Sequence, residues 1–195
     1  MRLAVCVPPN FEKRLRSDCR CLPSRAMQTD SGAIVHVGDF IEAGGVILTL
    51  GGQRRDEVLR ELVEHMAVLS GRPAEQSLLL AALKEREDLC STGVGDGVAL
   101  PHARNALVGL VDRPVIVFGR KAEGLPFGSI DGSLVRLFFL VVAPNVTLHL
   151  RVLARLSRLL RNPHVRQSLL TAESVPRVLS IVRVNEVDLD ALPSG

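Results

Sequence analysis

The sequence has no Trp, no Tyr and only six Phe in 195 residues. It therefore lacks the aromatic platforms on which single-stranded nucleic acid stacks. No run of about 18 apolar residues is free of charge, which argues against a membrane-spanning helix. Cysteine is scarce and unevenly placed: Cys6, Cys19 and Cys21 lie near the start, and Cys90 alone lies in the body. A single body cysteine offers no intradomain disulfide, which suits a reducing compartment. The N-terminal cysteines have no His among them, and their C-x-C spacing supplies too few ligands for a closed tetrahedral zinc site. Neither metal nor cofactor is expected. Leu3-Ala4-Val5-Cys6 sits too close to Met1 to follow the apolar core of a signal peptide.

A surplus of one charge sign is also missing from most of the chain. The net charge of +3 comes from residues 1–26, which carry six basic and two acidic side chains. The remainder is close to neutral, so no broad electrostatic surface for nucleic acid is expected. Residues 1–33 mix Pro, Arg, Cys and Ser without a period and read as an irregular N-terminal extension. Met27 stands at the composition break as a candidate internal start. A domain is expected over 34–188, with 189–195 as a short tail.

Within the domain, Val35–Ile41 and Val46–Leu50 are short apolar runs split by Gly44-Gly45, and the second reads as a first strand. Residues 54–69 place Val58, Leu59, Leu62, Val63, Met66 and Leu69 on one helical face. A second helix is expected over 74–87, with Leu79, Ala82 and Leu83 inward and Lys84, Glu85 and Glu87 outward. Val115–Phe118 and Leu134–Val142 are strands too apolar for a surface hairpin, so the sheet should be covered on both faces. A helix over 147–161 turns Leu148, Val152, Leu153, Leu156, Leu159 and Leu160 inward. It carries Arg151, Arg155 and Arg158 as an outer stripe, with Thr147 as its N-cap. Shorter helices follow over 163–171 and 174–183, the latter capped by Ser174 ahead of Pro176. The pattern predicts a three-layer α/β/α sandwich with a mixed β-sheet.

The chemistry concentrates in Ser91–Arg104, which packs three glycines, two hydroxyls, an acid and His102 into fourteen residues. Alternate glycines let backbone N–H groups converge on an anion. Pro101 stiffens the backbone immediately before His102, and a neutral imidazole is a nucleophile. The segment is not a Walker A loop, since no Gly-Lys-Ser/Thr occurs, nor a dinucleotide fingerprint, since the spacing is G-x-G-x-G. Metal ligation by His102 and His149 lacks a third ligand. Spacing alone leaves a phosphate or anion site and a simple turn histidine both open.

A series of segments narrows this. Glu85-Arg86-Glu87, Ser91-Thr92-Gly93-Val94-Gly95 and Ala99-Leu100-Pro101-His102-Ala103 come first. Gly124-Leu125-Pro126-Phe127, Ile130-Asp131-Gly132 and Phe138–Pro144 follow, then His149-Leu150 and Leu153–Leu156. In this order, over about residues 35–185, they resemble enzyme IIA of the bacterial phosphotransferase system, mannitol/fructose type, including its nitrogen-related regulatory members. The resemblance implies that His102 is the phosphorylated residue, that Arg86 neutralises the phosphoryl group and that His149 lies at the site rim. Ser91, Thr92 and Gly93 are the candidate phosphate-binding residues, and Asp131 reads as a turn residue. Cys90 and Leu134 depart from the family pattern, which often has Gly and Pro there.

The implied function is a cytoplasmic phosphocarrier. It would accept a phosphoryl group from the histidine-containing phosphocarrier protein and pass it to a IIB domain or hold it as a regulatory mark. A regulatory, nitrogen-related role is the first reading, and a sugar-specific IIA serving a separate IIB is the alternative. A non-catalytic anion- or partner-binding module is the reading from a different class.

Overall fold

The computed structural model describes residues 35–103 and 109–191. Expectations for the N-terminal extension, for residues 104–108 and for the end of the tail lie outside the described residues. Those described all belong to a unit spanning Ile34–Gly195.

The sheet is built on its two longest apolar segments. Strand β4 (Val115–Leu125) and strand β5 (Val135–Val142) pair antiparallel, from Val115 opposite Val142 to Arg120 opposite Leu137. The short β1 (Val46–Ile47) adds to β4 in parallel, and β3 (Val98–Ala99) adds to β5 in parallel. Strand β2 (Gly93–Gly95) folds back on β3 as an antiparallel hairpin, giving the order β1-β4-β5-β3-β2. The sheet is mixed, as expected.

Side chains alternate across the strands, and each face is covered. On one face, Ile116, Phe118, Leu137, Phe139 and Val141 meet helices α1 (Val37–Gly44), α4 (Val146–Arg161), α5 (Pro163–Thr171) and α6 (Val175–Ala191). On the other, Val117, Phe138, Leu140 and Val142 meet α2 (Arg55–Glu64), α3 (Pro73–Leu89) and the 3-10 turn Ala67–Leu69. The result is the three-layer α/β/α arrangement. Each face carries an aromatic pair: Phe118 with Phe139 at 5.1 Å between ring centres, and Phe127 with Phe138 at 5.3 Å.

Several elements differ from the sequence expectation. The run Val35–Ile41 contributes to a helix, α1, whose N-terminus is capped from the far end of the chain. The buried carboxylate of Glu186 accepts Val37 N–H at 2.5 Å and Gly38 N–H at 3.0 Å, and also takes the Arg155 guanidinium at 3.2 Å. Arg155 therefore leaves the outer stripe. At its other end α1 lies so close to β4 that a Cβ on Gly44 would fall 2.1 Å from the Ile116 carbonyl oxygen.

Strand β4 runs well past Phe118 because its charged residues find carbonyl partners. Arg120 donates to Leu48 O at 2.9 Å and, at the end of α5, to Leu170 O at 2.9 Å and Ala172 O at 2.6 Å. Lys121 is buried and reaches Leu50 O at 3.4 Å. Helix α4 begins one residue early, with Asn145 rather than Thr147 at the N-cap: its Oδ1 accepts Leu148 N–H at 2.9 Å. Ser174 caps α6 as expected, its hydroxyl taking Arg177 N–H at 3.4 Å, and the helix runs on to Ala191.

Candidate functional site

The chain leaves β3 through Leu100-Pro101 and delivers His102 to the sheet edge. His102 bridges Val141 of β5 in parallel, and Val141 N–H donates to Pro101 O at 2.9 Å. Strand β5 then turns through Ala143-Pro144-Asn145 into α4, and the first turn of that helix carries His149. The rings of His102 and His149 come within 5.1 Å, tilted by 52°. Two histidines 47 positions apart thus meet because β3 and β5 are neighbours with the same direction.

Both rings are half-buried. Nδ1 of His102 lies 2.7 Å from the Leu100 carbonyl oxygen. A carbonyl only accepts, so Nδ1 carries the proton and Nε2 keeps its lone pair. Burial pushes the His102 pKa down, and the positive charge of Arg86 pushes the same way, while the bond to Leu100 opposes them. His149 is also lowered, first by burial and then by the charge of His102. Arg86, on the last turn of α3, is half-buried and donates to Cys90 O at 2.5 Å.

The glycine-rich segment is not an open cradle of N–H groups. It forms the β2–β3 hairpin, turning through Asp96 at φ 54° between Gly95 and Gly97 at φ 100° and 75°. The β4–β5 loop takes its donors: Gly95 N–H goes to Ser129 Oγ at 3.1 Å, Asp96 N–H to Asp131 Oδ2 at 2.9 Å, and Gly97 N–H to Ser133 Oγ at 3.3 Å. Asp131 also accepts Ser133 Oγ–H and N–H, and these bonds, led by the hydroxyl, hold its carboxyl well below the usual carboxylate range. It is a turn clamp.

Of the three candidate phosphate-binding residues, each donates within the protein. Ser91 Oγ–H binds Phe127 O at 2.7 Å, and Gly93 N–H binds Ser91 Oγ at 3.1 Å. Thr92 N–H binds Glu87 Oε2 at 2.9 Å, and its hydroxyl binds Glu87 Oε1. Glu87 is 4% exposed, so its assignment to the outer face of the helix is corrected. Its burial follows from a partner, Thr92, that itself turns inward. Glu87 is the site-adjacent residue that the helical pattern misses. Among the described residues no group of three His, Cys, Asp or Glu is placed to hold a metal ion.

The mixed sheet thus brings His102 and His149 together beyond the ends of β3 and β5, with the charge of Arg86 acting on His102, and the class of protein that carries this arrangement is a phosphotransfer component. Residues 39–184 match the family described as phosphoenolpyruvate-dependent sugar phosphotransferase system, EIIA 2, and the chain belongs to it. It is 37% identical over 124 residues to the fructose-specific EIIA component of Haloferax volcanii, covering 63% of this chain and 79% of that protein. It is 29% identical over 148 residues to the nitrogen regulatory protein of Bradyrhizobium diazoefficiens, covering 75% and 94%. Against the fructose-specific EIIABC component of Bacillus subtilis it is 34% identical over 142 residues, or 71% of this chain, but spans only 22% of that longer protein.

Among solved structures, the nitrogen regulatory protein IIA-Ntr of Neisseria meningitidis superposes with a TM-score of 0.64 at 29% identity, over 75% of this chain and 98% of that one. The Escherichia coli complex of enzyme IIA-Mtl with phosphorylated enzyme IIB-Mtl matches with a TM-score of 0.61 at 25% identity, over 72% and 94%.

Proposed function

We propose that this chain is a phosphohistidine carrier that takes its phosphoryl group on Nε2 of His102. The observation that carries the reading is the 2.7 Å contact between Nδ1 of His102 and the Leu100 carbonyl, which leaves Nε2 as the nucleophile. The donor is the histidine-containing phosphocarrier protein. Its P–N bond breaks as the bond from His102 Nε2 to phosphorus forms, and the electron pair of the broken bond returns to the donor nitrogen. The imidazole ring of His102 then carries positive charge, which the Leu100 carbonyl stabilises through Nδ1–H. Arg86 releases Cys90 O and pairs with the phosphoryl oxygens, a charge-assisted bond stronger than the one it leaves. His149, near the positive end of α4, supports the same oxygens.

Transfer of this kind asks the protein mainly for alignment and charge stabilisation, which two rings and one fork supply. A protein donor and acceptor suit the exposed apolar side chains Val146 and Leu150, which flank His149 on α4, and Leu89 beside Cys90. The chain would work in the cytoplasm, where such donors are found.

A regulatory, nitrogen-related role is favoured by relatives of that name that match over nearly their whole length. A sugar-specific role, with the phosphoryl group passed to a IIB domain, is favoured by the 37% identity to a fructose-specific component. The test incubates the full chain with labelled phosphoenolpyruvate and the general phosphotransfer proteins, then adds a fructose- or mannitol-type IIB. Stoichiometric, acid-labile label on the wild type and none on His102→Ala is expected. Discharge by a IIB supports the sugar-specific role. Absence of label would turn the reading to a non-catalytic binding module.

A further inference from the structure

The last turn of α3 holds a buried carboxylate with an unusual pair of bonds. Both oxygens of Glu87 serve one residue: Oε2 takes Thr92 N–H at 2.9 Å and Oε1 takes the Thr92 hydroxyl. A buried carboxylate is costly unless fully bonded, and an apolar side chain at this position would pack without that cost. The two bonds to one residue fix the rotation of Thr92 as well as its position. The Thr92 carbonyl then accepts Leu100 N–H at 3.1 Å, and the Leu100 carbonyl accepts His102 Nδ1–H at 2.7 Å. Pro101 stands between the last two and fixes its own φ. The neighbouring Arg86 grips Cys90 O at 2.5 Å, so one helical turn holds residues 90–92 from two sides.

We infer that Glu87 is a positioning residue for phosphoryl transfer, acting through Thr92 and Leu100 to hold the His102 ring in the tautomer that exposes Nε2. This rests on the reading of His102 as the phosphoryl acceptor. Glu87 touches neither the ring nor the phosphoryl group. Burial pushes its carboxyl pKa up, while the Thr92 donors and the charges of Arg86 and Arg55 oppose the rise. Asp88, its exposed neighbour, is taken by Arg55 at 2.6 Å.

The test uses the full chain and the variants Glu87→Ala, Glu87→Gln and Thr92→Val. Two quantities are read: the nitrogen chemical shifts of the His102 ring, which report its tautomer, and phosphoryl uptake against donor concentration. Glu87→Ala is expected to lower the saturating rate by about 10- to 100-fold, the scale on which small misplacements of reacting groups act. The half-saturating donor concentration should stay unchanged, and the ring should become a mixture of tautomers. Glu87→Gln, whose amide oxygen still accepts Thr92 N–H, should recover most of the rate. Thr92→Val, which loses only the hydroxyl link, should fall between them and serves if the alanine variant does not fold.

Wild-type rate and a single tautomer in folded Glu87→Ala, or in Thr92→Val, would overturn the inference. So would a loss confined to donor affinity. A wild-type chain that takes up no phosphoryl group would overturn the carrier reading instead, and the ring shifts would still decide the Glu87 link.

Discussion

At the scale of single residues, the proposed carrier role turns on which imidazole nitrogen of His102 is bare and on what charge surrounds it. His102→Ala should abolish phosphoryl uptake while costing the fold little, since the ring is only half-buried; radiolabelling alongside a thermal melt checks both. Arg86→Lys keeps the charge but loses the planar fork that matches phosphoryl oxygens. It should slow transfer by about 10- to 100-fold, equivalent to ~1.4–2.7 kcal/mol of transition-state pairing, as rapid-quench kinetics would show. A wild-type rate in the lysine variant would put Arg86 outside the chemistry. Both histidines are held below the ordinary imidazole pKa, chiefly by burial. The nucleophile should therefore stay neutral at and above the usual value near 6.5. Uptake should fall only at more acidic pH, and a pH–rate profile tests this.

At the scale of elements, periodicity carries some of the fold and tertiary partners carry the rest. Helix α2 and the inner face of α4 are written in apolar spacing, and Val58, Leu59, Leu62 and Val63 are all buried as that spacing requires. Helix α1 is not readable locally, because its cap is Glu186, 149 positions away. Strand β4 outruns its apolar stretch because the carbonyls that satisfy Arg120 come from β1's end and from α5. The glycine-rich hairpin looks like an anion loop until Ser129, Asp131 and Ser133 arrive to take its N–H groups. In the candidate site, His102, Arg86 and His149 are nominated by the family resemblance and His102 and His149 do lie together, whereas Glu87 hides behind a helical charge pattern. The closeness of α1 and β4 gives a sharp expectation. Gly44→Ala should cost about 3 kcal/mol, because the new methyl meets backbone that cannot move aside. Denaturant unfolding measures it, and a change under about 0.5 kcal/mol, ordinary for a tolerant surface site, would mean that the two elements part easily.

At the scale of the whole molecule, the groups in and around the candidate site shape how the fold responds to pH. A group whose pKa is lowered by folding contributes stability that is present above its ordinary value and lost as pH falls through its folded value. His102 and His149 belong to this class, as does Asp131. Glu87, raised by burial, has the opposite sign: its contribution is present below its ordinary value and lost as pH rises through the folded one. Acidification should therefore weaken the fold in two stages. The histidines begin it below the ordinary imidazole value, and Asp131 extends it below the ordinary carboxylate value, while protonation of Glu87 offsets part of the loss. Replacing both histidines by Gln should flatten the first stage and leave the second. Asp56, Glu57 and Glu75 are lowered too and share the second stage, so Asp131→Asn should shrink it without removing it, while loosening the hairpin that leads to His102. Melting temperatures measured across the acid range separate the stages. A first stage that persists in the double Gln variant would assign it to groups other than the pair at the strand end.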